Sequence, residues 1–326
     1  MAGIYPAAAN LEQLGANLLG GGSSPPVLAS PAKIASTAVD LARHGIPPAQ
    51  ASSMARVQLL VLEVVSRCLA EAACGASVRD RDRDSTDVIV GVCFGNDRAY
   101  ANDLRVESAR VIARFLEGMR GADDSLLRRA EEELKARGRK LFGGAAHDRL
   151  GEMASTIPAR ISIANRLRGR CMAIEAADAT SFVALHSAVD ILRRRDASMV
   201  VVAAGQLFDG PLVPAALAAK GFLDAVPEPS AGGEAGRSGY RLGEGVGAVL
   251  LKRLEDAVRD GDRIYCTILG SGLAHASQPG TFRYAASVTD RRAAIADALA
   301  DSGCDPSSIQ YVECSSAGSA SSLELA

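Results

Sequence analysis

The feature that most constrains this chain is a series of short, uninterrupted apolar runs separated by amphipathic stretches. Val88, Ile89, Val90 and Val92 fall together in residues 86–94, residues 199–204 are apolar throughout, and Val246, Val249, Leu250 and Leu251 cluster in residues 246–254. Apolar runs of this length without polar alternation predict strands buried on both faces. Between them the spacing changes to the helical period. Residues 52–73 carry Leu59, Leu62, Val65 and Leu69, and residues 179–194 carry Phe182, Leu185, Val189 and Leu192. Strands alternating with helices predict an α/β chain whose sheet is covered on both faces. Further strands are predicted at 172–176, 263–271 and 309–313. Further helices are predicted at 11–19, 155–166 and 290–302, with a short one after the 246–254 strand.

Residues 103–142 are strongly charged and helical in two pieces, with Val111, Phe115, Leu126, Leu127 and Leu134 on the apolar faces. They read as a two-helix insertion packed on its own domain. Residues 79–84 alternate Arg and Asp, so their charges cancel and they read as a solvated turn. Residues 225–238 have a loop's composition.

Bulk properties exclude several classes. The net charge is −2, which gives no electrostatic reason to expect nucleic acid. No apolar run approaches the length of a membrane span, and no charged-then-apolar leader opens the chain. The seven cysteines stand singly with no C-x-x-C pair, so reduced thiols in a cytoplasmic protein are expected, without a zinc or redox site. Gly243, Gly245 and Gly247 lead into a strand rather than a helix, so they lack the anion-binding geometry of a dinucleotide fingerprint. Close backbone packing is the expected reason for them. No cofactor is expected.

Several segments, in order along nearly the whole chain, resemble the β-ketoacyl synthase family of polyketide and fatty-acid synthases. They are residues 1–12, Gly45 to Pro48 with Met54, Gln58 and residues 59–63, residues 181–186, 240–253 and 256–263, and Tyr311, Val312 and Glu313. Residues 45–48 and 155–162 lean toward the ketosynthase-like domains of polyunsaturated-fatty-acid and related iterative synthases. The resemblance implies an α/β thiolase-like fold, layered α/β/α/β/α, with the second half incomplete. It divides the chain into 1–254, an N-terminal half with a helical insertion at about 103–148, and 255–326, the truncated beginning of a C-terminal half. Either the sequence is a piece of a longer polypeptide or another chain supplies the missing strands.

Decarboxylative condensation needs a thiolate that holds the acyl chain as a thioester, and imidazoles that assist decarboxylation and stabilise the oxyanion. The family's nucleophile sits in Asp-Thr-Ala-Cys-Ser-Ser-Ser. The matching stretch here, residues 175–181, places Asp178 at the cysteine. The family's first catalytic histidine follows Tyr-Val-Glu-Ala, and here Ser315 takes its place. The second histidine would lie beyond residue 326. Asp178 is expected to act as a helix N-cap. Cys314 and His186 are expected to be buried, His186 hydrogen-bonded. His44 and His147 are expected at the surface, and His275 in a loop without a role.

The resemblance therefore implies a non-catalytic partner chain, similar to a chain-length factor. It would pair with an active ketosynthase as a hetero- or pseudo-two-fold dimer through about Cys171 to Ala176, shape the acyl tunnel and meet an acyl carrier protein. The alternative is an altered-chemistry enzyme in which Asp178 promotes decarboxylation or hydrolysis of acyl- or malonyl-carrier-protein thioesters. A purely structural scaffold is a third reading.

Overall fold

The computed structural model describes residues 1–19, 33–35, 39–73, 80–92, 97–118, 124–142, 151, 153–219, 242–275 and 288–313. Its centre is one five-stranded sheet in the order β1-β5-β4-β2-β3. The strands are β1 (Ala2–Ile4), β2 (Thr86–Gly91), β3 (Cys171–Ile174), β4 (Met199–Gln206) and β5 (Gly245–Lys252). β2 runs parallel to both β3 and β4, while β5 runs antiparallel to β4 and to β1. Every residue of β2 is buried, as its unbroken apolar sequence requires of a central strand.

The period-two alternation of the strands sorts their side chains into two cores. Val88, Val90, Val201, Ala203, Val246 and Ala248 face one side. There they meet α3 (Arg56–Ala73) through Val57, Val61, Val64 and Val65. The helix at Thr156–Asn165 adds Ile157 and Ile161 to the same core. Ile89, Val200 and Val202 face the other side, against Ala184, Ala188, Ile191 and Leu192 of the helix at Thr180–Arg193. The described residues thus stack as α/β/α. Burying side chains of this size contributes about 1.5–3 kcal/mol each, and both faces of the sheet draw on that term.

The remaining helices are α1 (Leu11–Leu19), α2 (Pro48–Ala51), α4 (Asp80–Asp84), α5 (Asp97–Gly118), α6 (Asp124–Phe142), α9 (Leu212–Ala219), α10 (Leu254–Asp260) and α11 (Val288–Ser302). The helices Thr156–Asn165 and Thr180–Arg193 are accordingly α7 and α8.

Several expectations are corrected. Residues 80–84 form a helical turn rather than an open one, and Asp84 pairs with Arg168 at 2.6 Å. The predicted apolar stripe of α8 holds in part: Leu192 is buried in the core and Leu185 packs against it. Phe182 is 60% exposed, and the sheet is met by Ala184 and Ala188, whose small side chains let the helix approach closely. The two insertion helices pack chiefly on each other, and α5 also meets α9. Val111, Phe115 and Leu126 stay exposed. Residues 263–271 and 309–313 form no strand, and Ile268, Leu269, Ile309 and Val312 are exposed. Strand preference expresses packing against neighbours, and no neighbouring strand for these segments lies among the described residues. The 225–238 stretch lies outside them. No described helix is long and apolar enough to cross a membrane.

Candidate functional site

The site is built where β3 hands over to α8. After β3 the chain makes a 3-10 turn, Ala177–Ala179, and α8 starts at Thr180. Thr180 holds the turn from both sides. Its hydroxyl accepts from the Ala176 amide at 2.9 Å and donates to the Ala177 carbonyl at 2.6 Å. Ala177 has φ +46°, left-handed for a residue with a Cβ, which costs about 1–2 kcal/mol. Gly91, at the end of β2, leaves room for the turn, because a Cβ there would lie 2.9 Å from the Thr180 methyl.

Asp178 sits on this turn, exposed, one residue before the N-cap of α8. The expected cap is corrected. The N-cap residue is Ala179, and no side chain caps the helix. The hydroxyl of Thr180 is committed backwards to the turn instead. The carboxylate of Asp178 therefore stands near the positive end of α8 without being consumed by it.

The turn borders a cavity of about 760 Å³, within the usual range of small-molecule sites. Its walls include Leu11 after β1, Leu185 of α8, Val202 of β4, Phe208, and Val213 and Leu217 of α9. Asp178, Thr180 and Ser181 line it from the turn. Gly245 and Gly247 lie against the Tyr5 side chain, where an added Cβ would come within 3.2 Å of the ring and 3.1 Å of the hydroxyl respectively. The close-packing account of the glycines holds there. Around Gly243 there is open space, so at that position it does not.

The sequence reasoning missed Glu244, whose side chain is fully buried beside the cavity. One oxygen accepts from the Phe208 amide at 2.9 Å and Arg56 at 3.1 Å. The other accepts from the Ile34 amide at 2.7 Å and Arg56 at 3.2 Å. Arg56 also binds Asp209. Burial alone would lower the Arg56 pKa, but its bonds to Glu244 and Asp209 raise it. One carboxylate thus fixes the 33–35 segment, α3 and the chain after β4 around the cavity. The signal was thin: a single acid between two glycines, with its partner far away in sequence.

The histidines divide differently from expectation. His44 is buried, not at the surface, and its Nε2 lies 2.9 Å from Glu63. Glu63 also binds Arg67. Burial works to raise the Glu63 carboxyl, but the hydrogen bonds from His44 and Arg67 outweigh it and hold the pKa below the usual range. His186 is half-buried rather than a core residue. It is hydrogen-bonded as expected, with Nδ1 2.8 Å from Ser271 Oγ, and its Nε2 lies near the Asp190 carboxylate at 3.7 Å, beyond hydrogen-bond distance. His275 is exposed. Cys68, Cys171, Cys266 and Cys304 are free thiols. Among the described residues no group of His, Cys, Asp or Glu is arranged to hold a metal. Ser315, Cys314 and His147 lie outside the described residues, so Asp178 is the substituted position placed at the cavity.

Comparison with known proteins identifies this arrangement. The N-terminal β-ketoacyl synthase domain model matches residues 1–257, and the C-terminal one matches residues 265–322. Polyketide synthase ThaQ of Burkholderia thailandensis is 38% identical over 49% of this chain and 8% of its own length. A phenolphthiocerol/phthiocerol polyketide synthase of Mycobacterium bovis is 30% identical over 84% of this chain and 12% of its own. The chain thus spans about a tenth of the length of these curated relatives. Among solved structures, the Streptomyces albus JA3453 oxazolomycin ketosynthase domain OzmH KS7 superposes with TM-score 0.72 at 25% identity, over 98% of this chain and 52% of that one. The ketosynthase from module 6 of the bacillaene synthase of Bacillus subtilis 168 gives 0.69 at 23%, over 98% and 50%. The sheet and its two covering layers are therefore those of a ketosynthase's thiolase-type fold, and the chain belongs to the β-ketoacyl synthase family.

Proposed function

We propose that this chain is a non-catalytic, chain-length-factor-like ketosynthase domain of polyketide or fatty-acid biosynthesis. It pairs with an active ketosynthase and lends its cavity to the acyl tunnel. The observation that carries this reading is Asp178. It occupies the turn before α8 and lines an apolar cavity, and a carboxylate there cannot hold an acyl chain as a thioester. Ser315, aligned by sequence with the family's first catalytic histidine, supports the same reading.

The cavity keeps the size and apolar walls suited to an acyl chain although the nucleophile is gone. β3 is an edge strand whose Cys171 and Ala173 are exposed. An open edge of this kind recruits a second strand, which supports pairing through about residues 171–176. An acyl carrier protein is the proposed source of the chain, and the cytoplasm the proposed compartment. Residues 1–254 are read as the N-terminal half of the domain and 255–326 as the beginning of the C-terminal half. The altered-chemistry alternative gains nothing from the structure, since Asp178 is exposed.

Co-expression with a ketosynthase carrying intact Cys and His tests the proposal. Co-purification is expected, together with a shift in product length when bulky residues replace Val202 or Leu217. Separate elution with unchanged product length would refute it.

A further inference from the structure

The electrostatics of the cavity point to a class of acyl group, on the assumption that the cavity is the acyl site just proposed. Three described lining side chains can ionise: Tyr5, Asp178 and Glu244. Glu244 accepts four hydrogen bonds, two from Arg56 and two from backbone amides. Its charge is matched and its oxygens are occupied. Burial raises the Tyr5 phenol, which keeps it neutral. The amino group of Met1, also at the wall, is paired with Glu71 at 3.0 Å. No lysine, arginine or histidine is found among the described lining residues. Among the described lining side chains, Asp178 is the acid with no cation beside it and no capping bond to α8; only the positive end of that helix stands near it.

We propose that the cavity holds uncharged acyl groups without a covalent bond, and that Asp178 excludes carboxylated acyl groups of the malonyl class. A malonyl group carries its free carboxylate one methylene from the thioester carbonyl. Any thioester seated against the 177–181 turn brings that carboxylate toward Asp178. Two like charges then meet where no described lining cation is available to share, and they repel. A hydrocarbon chain presents only methylenes there and gains the burial term instead. The substitution that removes the nucleophile thus also sorts what may enter.

The test uses pantetheine amides, whose nitrogen in place of the thioester sulfur prevents hydrolysis and acyl transfer. Octanoyl, acetoacetyl and malonyl amides compete against a fluorescent octanoyl-pantetheine probe on wild type and Asp178→Asn, with circular dichroism confirming the fold of both. Acetoacetyl is the neutral isostere of malonyl, so the ratio of the two isolates charge. In wild type, acetoacetyl is expected to bind at least about tenfold more tightly than malonyl, the scale of one unfavourable charge contact. In Asp178→Asn the gap is expected to close to within about threefold. Equal competition by the two in wild type, failure of both to compete, or a gap that persists in the variant overturns the inference while leaving the acyl site intact. Failure of the octanoyl probe to bind either protein overturns the acyl site and the inference with it.

Discussion

Two carboxylates border the same cavity, and they have opposite fates. Glu244 is fully buried and accepts four hydrogen bonds from Arg56, Ile34 and Phe208. Asp178 is exposed and caps nothing. The first behaves as part of the scaffold, because a buried charge persists only when matched. The second has no structural duty among the described residues. The contrast separates what the fold needs around the cavity from what is left free to act on a ligand.

Substitution at Glu244 should give the largest effect. Glu244→Ala leaves Arg56 and two amides without their shared acceptor, so unfolding free energy should fall by about 3–5 kcal/mol, measured by urea denaturation. A loss under about 1 kcal/mol would break the comparison. Next is Glu63→Gln, which removes the charge and one of the two acceptor oxygens that bind His44 and Arg67 and should cost about 1–3 kcal/mol at neutral pH. Because the folded Glu63 carboxyl lies below its ordinary value of 4.5, its contribution is fully present above that pH. It is lost as pH falls through the lower folded value. The gap in stability between wild type and Glu63→Gln should therefore be constant near neutrality and narrow below about pH 4.5.

A smaller loss, about 1 kcal/mol, is expected for Thr180→Val, which unfastens the turn under Asp178. The smallest belongs to Asp178→Ala, within about 0.5 kcal/mol of wild type. A large destabilisation there would mean that Asp178 is structural after all.

The sheet was readable because its signal is local. The apolar runs at Val88 to Val90 and Val200 to Val202 carry their own evidence of burial, and the strands formed there. Asp178 was read at the family's nucleophile position from the order of its neighbours in sequence, and the structure places it on the turn that borders the cavity. Its surroundings were not legible. Whether an acid before a helix becomes the cap depends on turn geometry, and here Ala177 at positive φ places Ala179 at the cap. Glu244 and Arg56 find each other across 188 positions, and no periodicity reports such a pair. His44 reads as polar until Glu63 of α3 is placed beside it. Residues 263–271 and 309–313 carry strand composition, but a strand exists only with a neighbour.

The measurement that bears most directly on the central claim is intact-protein mass spectrometry after incubation with octanoyl-carrier protein, on wild type and Asp178→Cys. Wild type should show no acyl adduct. Asp178→Cys should gain one octanoyl group at residue 178, because the turn before α8 remains able to present a nucleophile. With malonyl-carrier protein added, the variant should still form no ketoacyl product, as follows from the proposed reading that Ser315 stands where the family has its first catalytic histidine. An acyl adduct or ketoacyl product from the wild-type chain alone would contradict the account.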